Sequence, residues 1–138
     1  MKRFVFRLQR VYNYKLVVER MQRAELAEAV AALNALLNEL ARLDELILNG
    51  YSGAVTVRDF EEHAWFLERL RDERDELLPR IAAAEEHVEQ CRAQLVQTMR
   101  EIKTYDQVRA EKYAEWYAEN TKSESAALQD YMAATLTQ

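Results

Sequence analysis

The chain has 138 residues, 49% of them apolar and 31% charged, with only two Gly and one Pro. So few turn-forming residues leave room for few, long elements, and a chain rich in Ala, Leu, Glu, Arg and Gln buries a narrow helical seam rather than a thick core. One cysteine excludes an intramolecular disulfide framework and fits a reducing compartment, and the net charge of −5 is unevenly spread. Residues 1–23 carry seven basic side chains against one acid, Glu19, while the remainder carries 12 basic and 23 acidic ones. Such a basic start is either a solvated face or a contact for an acidic protein, a nucleic acid or a membrane surface.

In chain order, the opening MKRFVFRLQRV lacks an apolar core segment because Arg7 and Arg10 interrupt it, so it does not read as a secretory signal. An Arg-rich, acid-poor start also mimics an organelle transit peptide, but its apolar pattern runs unbroken into the main helix. No run approaches the length of a membrane span. Helix one is predicted over about 3–48. Its seam runs through Leu26, Leu33, Leu40 and Ile47 alternating with Ala29, Leu36 and Leu43. Before Leu26 the apolar residues shift phase to Val11, Tyr14, Val18 and Met21, a slip expected to splay the pair.

Asn49-Gly50-Tyr51-Ser52-Gly53 is the one strong break, placing a loop at about 49–56. Thr56 then reads as an N-cap with Asp59 three residues on. Helix two is predicted over about 57–120 or beyond, with 121–138 expected to fray unless covered. Phe60, Leu67, Arg74, Ile81, Val88, Leu95 and Ile102 recur every seven residues, interleaved with His63, Leu70, Leu77, Ala84, Cys91, Thr98 and Tyr105. Pro79 falls on the outer face, where a kinked but continuous helix is expected. A short connection makes the helices antiparallel. The expected fold is all-α, one antiparallel two-helix coiled-coil hairpin whose second helix is longer. If residue 48 pairs with about 57, residue 3 meets about 102, and everything beyond about 105 lacks a partner helix.

Little in the pattern suggests chemistry. His63 and His87 read as isolated and Cys91 as a packed seam residue. There is no phosphate loop, HExxH, paired-cysteine spacing or nucleophile elbow. No catalytic, cofactor-binding or metal-binding residue is expected. Trp65 and Phe66 are more informative: both lie off the seam near the loop, as a partner site or as a surface for the loop to cover through Tyr51 and Val55. The basic start with Phe4, Phe6, Tyr12 and Tyr14 also suits nucleic acid by charge and stacking, or a membrane surface, but no groove-reading motif accompanies it.

The chain resembles the FliJ family of flagellar type III export proteins. The likeness rests on the basic-aromatic opening Met1 to Val11 followed by Tyr14, on Trp65-Phe66-Leu67-Glu68-Arg69-Leu70 after a Gly-containing loop, and on the charged stretch Asp106 to Tyr113. It departs in the tail from Ser123 to Gln138, which is Ala/Thr-rich where the family is charged. The resemblance implies a non-catalytic, central-stalk-like coiled coil of the export apparatus, cytoplasmic and peripheral at the inner membrane. Its implied partners are the hexameric export ATPase, the cytoplasmic domain of the export gate protein and export chaperones, with no nucleic acid and no membrane insertion. By position, Phe66 and Leu70 match the family's gate-facing residues, with Trp65 beside them. Arg3, Phe4, Arg7, Arg10, Tyr113, Trp116 and Tyr117 fall at the end expected to face the ATPase. A virulence secretion stalk shares this fold, and a self-associating scaffold is the reading from another class; a monomer favours the stalk.

Overall fold

A computed structural model describes residues 2–136. It is an all-α antiparallel hairpin of α1 (Gln9–Leu48) and the longer α2 (Val57–Leu136). The helix α2 runs through Pro79 without interruption, the ring lying on an exposed position. Two compact units form along it, one of residues 21–95, the other of residues up to 20 together with those from 96 onward.

In the unit of residues 21–95 the heptad pattern becomes burial. Leu67, Leu70, Leu77 and Ile81 of α2 pack on Leu43 of α1, with Leu33, Leu36, Leu40, Leu46 and Ile47 partly buried around them. A second cluster joins Ala29 to Val88 and Cys91, flanked by Leu26, Val30 and Leu33. Arg74 interrupts the apolar run, and its Nε donates to Asp44 Oδ1 at 2.7 Å. A single ion pair across a seam contributes little stability but resists slippage of register.

That pair also corrects the expected pairing. A tight turn would put Asp44 near residue 61, so the observed partner lies about thirteen residues further along, roughly 20 Å of helix. The reason is the loop, which lies along the first turns of α2 instead of joining adjacent helix ends. Gly50 rests on Leu67, where an added Cβ would stand 2.1 Å from Cδ2. The Tyr51 ring lies 5.9 Å from that of Phe60, and Gly53 takes φ 82°, the left-handed turn that side chains resist. Thr56 then caps α2: its Oγ1 accepts from Asp59 N at 3.1 Å, while Asp59 Oδ2 accepts from Thr56 N at 3.0 Å and Val55 N at 3.2 Å. These backbone donors hold the Asp59 carboxyl below its ordinary value.

In the other unit, α1 begins at Gln9 rather than near residue 3. Residues 2–8 form a non-helical arm in which Phe4 and Phe6 turn inward while Arg3, Val5 and Arg7 are exposed, the alternation of an extended chain. The aromatic and β-branched run Phe4-Val5-Phe6 favours that conformation over a helix. Gln9 N donates to Phe6 O at 3.1 Å and closes the turn into α1.

The predicted phase slip before Leu26 is also corrected. Val11, Tyr14 and Met21 are exposed. Tyr12, Lys15, Glu19 and Gln22 face inward instead and continue the 3–4 spacing of Leu26 and Ala29 unbroken. The frame holds, but polar side chains fill it.

Candidate functional site

Two groups of exposed aromatics stand out, one in each unit. The first surrounds the loop. Because α1 stops short of the first turns of α2, Trp65 and Phe66 have no helix beside them, and they are 62% and 46% exposed. The loop's Tyr51 ring stands beside Phe60, which, though expected on the seam, is itself 47% exposed. Trp65 carries the Arg69 guanidinium 5.4 Å from its ring centre, a contact of about 0.5–1 kcal/mol at an exposed site. Leu70 differs: it is 5% exposed and belongs to the core with Leu43 and Leu67. Its side chain braces the turn that presents Phe66 rather than meeting solvent.

The second group lies where the arm crosses α2. The Phe4 ring stands edge-on to Tyr113 at 5.2 Å and tilted against Trp116 at 5.8 Å. Tyr113 and Trp116 lie 5.6 Å apart, Tyr117 stacks on Tyr113 at 6.4 Å, and the Arg109 guanidinium covers Phe4 at 5.8 Å. Sequence reasoning grouped Phe4, Tyr113, Trp116 and Tyr117, and the structure brings these rings together. Arg3, Arg7 and Arg10 are exposed, with Arg7 lining the same groove as Phe4 and Trp116. Sequence reasoning missed Arg109, because in a helix of unknown register it did not stand out from its neighbours.

Beside this cluster the two helices are joined by polar contacts. Lys15 Nζ meets Glu101 Oε2 at 2.5 Å, with Gln97 Nε2 donating to the other oxygen at 3.3 Å. Arg109 Nε donates to Gln9 Oε1 at 3.4 Å. Glu101 raises the pKa of Lys15, and Lys15 with Gln97 holds the Glu101 carboxyl below its ordinary value. A hydrogen bond with Asp106 pushes the Tyr12 phenol up. Beneath these contacts Thr98 and Ile102 are the buried residues.

The arm is held weakly. Two rings, Phe6 buried and Phe4 partly so, worth about 1.5–3 kcal/mol each when fully buried, and aromatic contacts of about 0.5–1.5 kcal/mol each stand against about 1–2 kcal/mol per residue for ordering seven residues. Trp116 Nε1 is buried with no acceptor among the described residues, a further cost to this arrangement. From Thr121 to Leu136 every position of α2 is exposed, with Leu128, Tyr131, Met132 and Leu136 its large apolar residues.

One reading of the histidines changes. His87 is not isolated: one helical turn brings its Nε2 to 3.8 Å from Cys91 Sγ. Among the described residues no group of three or more His, Cys, Asp and Glu is placed to hold a metal. No described helix is long and apolar enough to cross a membrane.

An antiparallel helical hairpin with exposed aromatics off its seam and polar contacts along part of it is a coiled-coil-like architecture. A model of the flagellar FliJ protein family matches residues 4–135, and the chain belongs to that family. Membership carries a role connected with flagellar protein export, in a family of non-catalytic components. Comparison with curated proteins and with solved structures returned no match.

Proposed function

We propose that this chain is a central-stalk-like component of the flagellar export apparatus. It engages the hexameric export ATPase through the arm and the aromatic part of α2, around Arg3, Phe4, Arg7, Arg10, Tyr113, Trp116 and Tyr117. Trp65 and Phe66 dock on the cytoplasmic domain of the export gate, with Leu70 bracing them, and export chaperones are further partners. The protein works at the cytoplasmic face of the inner membrane and is a monomer in isolation.

The observation that carries this reading is the aromatic cluster of Phe4, Tyr113, Trp116 and Tyr117 with the Arg109 guanidinium over Phe4. Exposed aromatics and Arg are the residues that dominate protein interfaces. The test mixes the purified chain with the cognate export ATPase and follows turnover and ring assembly. Stimulation of both is expected. No change in either would overturn the stalk role.

A further inference from the structure

We infer that residues 2–8 are a releasable strap that masks the aromatic face of α2 at Tyr113 and Trp116 until a partner displaces it. Three observations carry this. The arm is held by two rings: Phe4 lies against Tyr113 and Trp116 and Phe6 is 7% exposed, while Val5 is 77% exposed and Arg3 and Arg7 face solvent. Second, an open groove of about 590 Å³ runs between arm and helix, lined by Phe4, Phe6, Val108, Glu115, Trp116 and Glu119 among others, so solvent reaches along the arm's contact with α2. Third, Trp116 Nε1 is buried with no acceptor among the described residues. A buried indole N–H finds a partner in most settled packings, so the closed arrangement leaves a donor that an incoming backbone carbonyl satisfies.

The hinge is equally legible. The arm joins α1 through the turn from Phe6 O to Gln9 N. Leu8, which precedes the helix, has no side-chain oxygen to cap it, and the first turn of α1 has no acid. A weakly capped helix start lets the arm swing without unfolding the leucine clusters of the other unit. What replaces the strap is an apolar surface that offers a carbonyl to Trp116. Naming that surface as part of the export ATPase rests on the stalk reading above; the strap itself does not.

Two measurements test it. In a Trp65→Phe background Trp116 is the sole indole, since the chain has two tryptophans. Phe4→Ala should shift its emission to the red and raise acrylamide quenching about threefold. Quenching already equal in the parent would overturn the strap. Second, Val5→Cys with Lys112→Cys, both lining the groove, in a Cys91→Ser background allows a short, reductant-cleavable bismaleimide to pin the arm. The pinned chain should need at least tenfold more protein to stimulate the ATPase, and cleavage should restore the original response. Equal potency pinned and cleaved would overturn the masking role while leaving the stalk reading standing. If the chain stimulates in neither state, the stalk reading fails, and the quenching result alone decides the strap.

Discussion

Phe66 and Leu70 stand one turn apart on α2, and replacing each with alanine should separate binding from folding. Leu70 is 5% exposed among Leu43, Leu67 and Leu77. Leu→Ala at such a site removes transfer energy and leaves a cavity, which costs about 2–5 kcal/mol. Phe66 is 46% exposed, so about half of the ~1.5–3 kcal/mol that full burial brings is at stake. Alanine's better helix propensity returns a few tenths. Phe66→Ala should therefore cost no more than about 1 kcal/mol. Urea denaturation followed by circular dichroism resolves that difference. Calorimetric titration with the cytoplasmic domain of the export gate measures the other half: loss of a central aromatic anchor of about 2 kcal/mol weakens binding roughly thirtyfold. If Phe66→Ala destabilises as much as Leu70→Ala, or binds the gate domain like the parent, the reasoning fails.

Gly50→Ala should destabilise by about 1–3 kcal/mol through overpacking, because the new Cβ would stand 2.1 Å from buried Leu67; an unchanged denaturation midpoint would show that the loop does not rest there. Arg74→Leu makes the seam continuous, removes its pairing with Asp44 and loosens register, so light scattering should detect a larger share of dimer than in the parent. The carboxyls of Asp59 and Glu101 have folded pKa values lowered by their donors, so their stabilisation is present above their unfolded values of about 4 and is lost as pH falls through the folded ones. Acid below about pH 4 should weaken the start of α2 and the Lys15–Glu101 contact, and Asp59→Asn should flatten part of that acid slope; an identical slope in the variant would refute the cap's contribution.

The sequence by itself determined the seam of α2. A side chain's place on a helix depends only on its number, so Leu67, Leu70, Leu77, Ile81, Val88, Cys91, Leu95, Thr98 and Ile102, read as seam residues, are the buried ones. The cap at Thr56 and Asp59 was legible for a similar reason, since capping is local chemistry. The same local rules exposed Trp65 and Phe66 as aromatics off the seam. Following apolarity alone misled the reading of residues 11–21: the frame continues through Tyr12, Lys15, Glu19 and Gln22, whose acceptability depends on partners such as Glu101 and Asp106 across the pair.

Register was the property that only tertiary structure decided. Heptads repeat, so a slide of two repeats preserves most apolar matches, and the energy differences that choose among registers come from the Asp44–Arg74 pair and the loop's seat on Leu67. That slide of about 20 Å leaves Trp65 and Phe66 uncovered. The arm is likewise a tertiary result. Residues 2–8 carry a pattern that suits either a basic amphipathic helix or an extended strand, and contact with Tyr113 and Trp116, about a hundred residues away in sequence, selects the second.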